Sequence, residues 1–357
     1  MTLDKQNNSQ LVRIVGYLFP LFLTILFLFL AFKNVDLRES FKLISNASFI
    51  PIILYVVIFY LSHLARALRW KYMMSSIKKD ISGVHLFGSV IVSYGVSCVV
   101  PRLGELYRGL FLGKWEGVSR STVIGTIVVE RIIDIASFAL AALVSISIFS
   151  GNLYDKIYWL KPSLEIGFSI IFVLTALLIS LVKFQNNFKN GLIRFSNKIN
   201  LKISERLSSI FDTLINGFSS VKSSKHILLI VIWTIIILLL YALNAFVGFY
   251  MLKMDDIIPV SFSMAWILMT ISSFGAMIPT PGGTGPYHAI SILILTQLYL
   301  FSSEISAAYA ILTHFINYSL FVITTLIIIY LVNRQRVKTG LPKETFLSVF
   351  NIHSESK

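Results

Sequence analysis

The sequence predicts an all-α polytopic membrane helix bundle with two broken, re-entrant hairpins arranged as an inverted repeat. Three observations predict it. The chain is 56% hydrophobic and 13% charged over 357 residues, with a mean hydropathy of +0.79, more apolar surface than a water-soluble core of this length hides. Six apolar stretches are long enough to cross roughly 30 Å of hydrocarbon at about 1.5 Å per residue. Two further apolar regions are interrupted by proline and glycine, and the basic loops require each to return to the face it left.

The six long stretches are residues 11–32, 49–65, 121–150, 164–182, 226–252 and 306–332. The first is too long for a signal-peptide core and no small-residue cleavage site follows it, so it reads as a retained helix. Three shorter stretches, 84–100, 257–278 and 287–301, each lie beside a Pro/Gly break.

Orientation follows from the cations. The loop after the second span carries Arg66, Arg69, Lys71, Lys78 and Lys79. The connector 183–225 carries eight cations against Glu205 and Asp212, and the tail adds Arg334, Arg336, Lys338 and Lys343. All three are expected on the cytoplasmic side, with both termini, in the cell inner membrane. If 84–100 were a single crossing, the connector would fall outside. A segment from residue 84 to about 113 that enters from the cytoplasm, breaks at Pro101 and returns keeps every basic loop inside. Residues 257–301 then enter from outside and break at 279–286. The breaks also share a pattern: Tyr94-Gly95 before Pro101-Arg102-Leu103-Gly104-Glu105, and Phe274-Gly275 before Pro279-Thr280-Pro281-Gly282-Gly283. Opposite approach with a shared pattern is the inverted-repeat architecture, in which discontinuous helices build a midplane site.

One transmembrane domain is expected over 1–357: a first half to 182, a basic connector 183–225, a second half 226–332 and a tail 333–357. In the connector, Ile203, Leu207, Ile210, Leu214, Phe218 and Val221 recur at helical spacing, giving an amphipathic helix for the inner leaflet or the base of the bundle.

Candidate function concentrates in three places. Glu130, Arg131 and Asp134 lie about 15 Å into an apolar run, where an unpaired charge costs several kcal/mol. Arg131 and Asp134 are three apart and can pair locally. Counted alone, two acids against one base want a further cation, and Arg102 or Arg108 is the expected supplier. The alternative is an ion-pair knot that only fixes packing. The second place is the tip Pro101 to Arg108, where Arg102, Glu105 and Arg108 stand beside a broken backbone and the guanidinium forks suit phosphate oxygens. The third is Pro279-Thr280-Pro281-Gly282-Gly283-Thr284-Gly285-Pro286-Tyr287-His288, a Gly-rich turn opening onto a helix, suited to anions but without the lysine of a nucleotide loop. His288, His314 and Asn317 are polar groups in apolar surroundings that either relay protons, meet a headgroup, or simply hydrogen-bond a neighbour. Arg66, Arg69, Trp70 and Tyr72 close the second span and read as interfacial anchors. The single cysteine, Cys98, excludes a disulfide framework, no zinc spacing occurs, and the scattered cations do not form a nucleic-acid face. No metal or cofactor is expected.

The run Tyr94 to Arg108, ending Pro-Arg-Leu-Gly-Glu-Leu-Tyr-Arg, together with Gly117-Val118-Ser119, Val129-Glu130-Arg131 to Asp134, and Ile278 to Gly285, resembles the lysylphosphatidylglycerol synthase transmembrane-region family, also called flippase-like integral membrane proteins. The resemblance spans nearly the whole chain. It implies a lipid flippase, which in the full-length synthases carries aminoacylated phosphatidylglycerol between leaflets ahead of a soluble aminoacyltransferase domain. Only about two dozen residues follow Val332, so translocation without aminoacylation is the implied activity, and an enzyme is not expected.

The expected partners are membrane lipids: an anionic or aminoacylated phospholipid, or a polyprenyl-phosphate-linked glycolipid, with a homodimer among the assemblies left open. Arg102 and Arg108 are assigned to the phosphate. Pro279, Pro281, Gly282, Gly283, Gly285 and His288 are assigned to headgroup approach, and Glu105 and Arg131 are counted with them among the substrate-binding residues. Glu130 and Asp134 are assigned to a cationic moiety or counter-charge. Two rivals belong to other classes: a membrane transferase acting on lipid-linked sugars, and an ion-coupled transporter of a soluble solute.

Overall fold

A computed structural model describes residues 18–101, 103–149, 184–197 and 224–340, with a few isolated positions between and beyond them. The stretch 164–182, the amphipathic residues 203–221 and Arg102 lie wholly or mostly outside the described residues. Every described regular element is helical, as expected.

In chain order these are α1 (Leu18–Phe32), α2 (Leu37–Ser45), α3 (Phe49–Met74), α4 (Gly83–Val99), α5 (Leu103–Glu116), α6 (Arg120–Ile148), α7 (Gln185–Asn197), α8 (Ser224–Met251), α9 (Phe262–Ala276), α10 (Pro286–Gln297) and α11 (Ser303–Lys338). Short 3-10 turns sit at Met254–Asp256 and Pro281–Gly283. α3, α8 and α11 are long and apolar enough to cross a membrane, and α1 with α2 forms an apolar pair bent by 86°. α2 begins at Asp36, whose carboxylate accepts the N–H groups of Arg38 and Glu39 and so satisfies two of the orphan donors at a helix start. The outward faces carry Phe22, Ile25, Phe29, Ile50, Leu228 and Leu326, all exposed. Lipid is the solvent that makes such a surface stable.

α3 is the central strut and packs along α8. Its N-terminal end is tied to the C-terminal end of α8 by the Ser48 N–H donating to the Met251 carbonyl at 2.8 Å, which makes the pair antiparallel. The two short apolar stretches at the breaks each fold back on a neighbour. α4 and α5 pack as a hairpin around Gly104, where an added Cβ would stand 1.8 Å from the Ser93 carbonyl oxygen. α9 and α10 pack as a second hairpin, with the Ser272 and Ser291 hydroxyls 2.9 Å apart and Gly275 against the Pro286 carbonyl. The base of the first hairpin sits beside the C-terminal end of α3, because Lys78 reaches Glu116. The base of the second lies near the opposite end of α3, because the Phe262 ring meets Phe246 near the end of α8.

The two breaks meet. Gly282 lies against the Tyr318 ring, and its added Cβ would stand 3.5 Å from Cys98 Cα. The Tyr318 hydroxyl donates to the Cys98 carbonyl at 2.7 Å. Gly282 and Gly285 have φ of 58° and 96°, a region that L side chains rarely adopt. At Gly285 an added Cβ would also lie 2.8 Å from the Thr24 carbonyl of α1, so α1 closes over this break.

The base of the first hairpin is latched by one carboxylate. Glu116 accepts from Lys78 Nζ at 2.7 Å and from the Ser82 N–H at 3.2 Å, and it lies 2.6 Å from His85 Nδ1. Burial pushes this carboxyl up, but the hydrogen bonds from Lys78 and His85 outweigh burial and hold it below its ordinary value of 4.5. A depressed carboxylate contributes stability that is present above the unfolded value and lost as pH falls through the folded one. Thermal unfolding of detergent-solubilised protein checks this. The gap in midpoint between the parent and Glu116→Gln is expected to be open at pH 7 and to close as the pH drops below about 4.

Candidate functional site

The site grows from two helices whose polar residues recur at helical spacing. On α3, Ser62, Arg66 and Arg69 step by four and three, and all are buried. On α6, Glu130 and Asp134 are four apart and buried, with Arg131 beside them. Such spacing places each set on one face, and the two faces meet.

Arg66 Nη1 donates to Glu130 Oε1 at 2.9 Å and to Asp134 Oδ2 at 2.7 Å. Arg69 Nη2 donates to Glu130 Oε1 at 3.1 Å and to Asp134 Oδ1 at 2.6 Å. α8 orients both guanidinium groups: the Arg66 Nε donates to the Tyr241 hydroxyl and the Arg69 Nη1 to the Thr234 hydroxyl, each at 3.2 Å. Arg108 arrives from α5, 2.8 Å from Glu130 Oε2, and its guanidinium lies over the Trp70 ring at 3.7 Å. That cation–π contact replaces part of the hydration lost on burial. Trp70 is in turn fixed by its indole N–H on Thr126 at 3.0 Å.

Arg131 completes the cluster. Its Nη2 stands 3.0 Å from Asp134 Oδ2 and 3.5 Å from Glu130 Oε1, and its Nε stands 3.2 Å from Glu105 Oε1. Among the described residues, four guanidinium groups therefore face three carboxylates, a net charge of +1 with every group ionised. The N–H groups at Arg69 Nε, Arg108 Nε, Arg108 Nη2 and Arg131 Nε have no aligned acceptor. Proximity without alignment leaves these donors electrostatically held but directionally unused.

This arrangement corrects two expectations. Arg66 and Arg69 are not interfacial anchors: they are buried inside the bundle, where each guanidinium donates to both Glu130 and Asp134. Of the two roles expected of Glu130 and Asp134, the pairing fits the counter-charge and not the cationic moiety, since Glu130 is met by four arginines and Asp134 by three. Counting one base near these acids gave the wrong sign for the site. The cation expected from the first hairpin is Arg108; Arg102 is outside the described residues.

The second set of residues forms a separate polar group. Pro279, Pro281, Gly282, Gly283 and Gly285 make the turn before α10, with Thr280 buried and its hydroxyl without a partner. Thr284 Oγ1 lies 3.1 Å from His314 Nε2, the His288 and His314 rings are 4.6 Å apart, and the Gly285 N–H reaches His288 Nδ1 at 3.4 Å. Both histidines are thus hydrogen-bonded to neighbours. This group carries no charge pair among the described residues. It reaches the arginine cluster through aromatic rings: Arg66 lies over Tyr94 at 5.9 Å, Tyr94 stacks on Phe321 at 4.7 Å, and Phe321 is one turn along α11 from Tyr318. Among the described residues, no cluster of His, Cys, Asp and Glu could hold a metal ion.

The sequence profile described as the lysylphosphatidylglycerol synthase TM region matches residues 17–326. A UPF0104 membrane protein of Methanocaldococcus jannaschii is 22% identical over 330 residues, covering 88% of this chain and 94% of that protein. A second UPF0104 membrane protein from the same organism is 29% identical over 250 residues, 68% of this chain and 95% of its own. One from Methanothermobacter thermautotrophicus is 24% identical over 268 residues, 70% of this chain and 76% of its own. No solved structure matches the chain.

Proposed function

Because the chain belongs to the lysylphosphatidylglycerol synthase transmembrane-region family, we propose that it translocates a lipid between leaflets by receiving a phosphate-bearing headgroup at the arginine cluster while the acyl chains stay in the bilayer. The observation that carries this reading is the charge count among the described residues: four buried or half-buried arginines against three carboxylates. Surplus positive charge inside an apolar bundle is costly unless an anion compensates it. A phosphate oxygen is an acceptor that guanidinium N–H groups recognise in pairs, and the partly exposed Arg131, whose Nε has no aligned acceptor, is placed to donate to it.

The two hairpins supply the path. In this reading they form an inverted repeat that approaches from opposite faces of the inner membrane, with both termini cytoplasmic. Their bases near opposite ends of α3 and their touching tips support it. The uncharged Thr280, Thr284, His288 and His314 line the far side of the route and offer hydrogen bonds to the neutral part of a headgroup without trapping its charge. The sequence carries no nucleotide-hydrolysis motif, so in this reading any active movement draws on an ion gradient or a partner.

Leaflet accessibility of a short-chain fluorescent phosphatidylglycerol in reconstituted vesicles tests the proposal. Arg131→Gln, at a partly exposed position whose loss leaves Glu130 and Asp134 paired to other arginines, is expected to slow protein-dependent exchange about tenfold, equivalent to about 1.4 kcal/mol. Exchange at the parent rate in that variant would remove the cluster from the mechanism. A covalently altered lipid in the same assay would favour a transferase instead.

A further inference from the structure

We propose that Glu105 is a built-in counter-ion: its carboxylate holds the phosphate position on Arg131 until a lipid phosphate displaces it. This rests on reading the arginine cluster as an anion site, and it assigns Glu105 a role in affinity and selectivity instead of in the permanent scaffold.

Exposure divides the cluster. The side chains of Arg66, Arg69 and Arg108 are 3% exposed or less, whereas Arg131 is 34% exposed and Glu105 43%. An anion arriving from outside the bundle therefore meets Arg131 first, and the group already there is Glu105.

Alignment divides it in the same way. Asp134 accepts well-directed hydrogen bonds from Arg66 at 2.7 Å and Arg69 at 2.6 Å. The Glu105 to Arg131 contact is longer, 3.2 Å, and Arg131 Nε has no aligned acceptor. Glu105 is thus the least committed carboxylate of the three. A phosphate that took its place would gain Nε as a donor, which Glu105 leaves unused.

The backbone favours an anion at this point whichever group provides it. Glu105 is the third residue of α5, in the first turn, where the helix dipole attracts negative charge. A phosphate displacing the carboxylate meets the same field. With Glu105 swung away, the remaining groups are four arginines and two carboxylates, a local charge of +2. The open form therefore selects ligands of net negative charge, and the closed form is close to balanced. The exchange of one anion for another also lets the ligand leave, since the carboxylate returns to Arg131 without a period of uncompensated charge.

The test uses the full chain in neutral detergent micelles and two probes, dioctanoyl phosphatidylglycerol and inorganic phosphate, with binding followed by isothermal titration calorimetry. E105Q is expected to bind the lipid about fivefold more tightly than the parent, the scale of one partly exposed ion pair. E105D, which keeps the charge, is expected to stay within about twofold of the parent. R131Q is expected to weaken binding strongly, and E105Q with R131Q is expected to show no gain over R131Q alone. Tightening for both probes identifies the phosphate itself as the competing group. Tightening for the lipid alone makes the headgroup in its membrane setting the competitor, and both outcomes support displacement. If the parent binds and E105Q binds equally or less tightly, or if the gain survives in the double variant, Glu105 is structural and the proposal fails while the anion site stands. If neither the parent nor E105Q binds either probe, the anion reading falls and takes this proposal with it.

Discussion

Glu130→Gln is expected to destabilise the protein by about 3–5 kcal/mol, the cost of removing one partner from a buried ion-pair network. Glu130 is fully buried and lies within 3.5 Å of nitrogen atoms from four arginines. The amide keeps the size and loses the charge, so the cluster moves from +1 to +2 in surroundings that cannot solvate it. Its new NH2 group also points a donor at arginine donors. Thermal unfolding in detergent, followed by the monodisperse fraction on a sizing column, measures the loss. A second substitution separates charge imbalance from lost shape. Glu130→Gln with Arg108→Met restores the charge count, and Met packs on Trp70 where the guanidinium lay. The double variant is expected to recover part of the loss. A double variant no more stable than Glu130→Gln would mean that geometry, and not net charge, sets the penalty.

Gly104→Ala is expected to disrupt the first hairpin by more than the 1–3 kcal/mol typical of overpacking. The added Cβ would fall 1.8 Å from the Ser93 carbonyl oxygen and 2.3 Å from Ser97 Oγ. The first of these is backbone in the middle of α4, so no rotamer change relieves it and the two helices must separate. Separation carries Arg108, one turn along α5, away from Glu130 and Trp70. A fall in thermal midpoint, together with weaker phosphate binding by calorimetry, is the expected signature. An unaltered midpoint would show that α4 and α5 do not hold this approach in the membrane. Gly191→Ala is the matching control, since nothing lies within 4 Å of an added Cβ there.

Much of this architecture was legible in the residues. Lipid solvent fixes the length of apolar stretches, so α3, α8 and α11 could be placed from composition alone. The breaks were legible because proline and glycine free backbone groups that apolar surroundings will not accept. Glu130 and Asp134 were legible because carboxylates in an apolar run demand an explanation. Arg108 could be nominated as a partner because it was the next cation near a break.

What was missed has one physical cause. Arginine has a long stem and a weakly hydrated head, so near the end of a span it can equally snorkel outward or turn inward. For Arg66 and Arg69 the sequence position favoured the first and the structure has the second. A signal was present: Ser62, Arg66 and Arg69 share one face of α3, and interfacial anchors have no reason to line up with a buried serine. Tyr241 and Thr234, which orient these arginines, carried no signal of their own, because lone hydroxyls are common in apolar helices. The sign of the site depended on pairing across α3, α5 and α6, a property of three-dimensional packing that no local spacing encodes.

The hydroxyl of Tyr318, seated on the Cys98 carbonyl with Gly282 against its ring, has a mechanical consequence. It pins both discontinuities to one rigid column, α11, so neither can swing without dragging its counterpart. Whatever shifts the first break then tugs on the turn beside α1, and the two hairpin tips communicate through a single phenol.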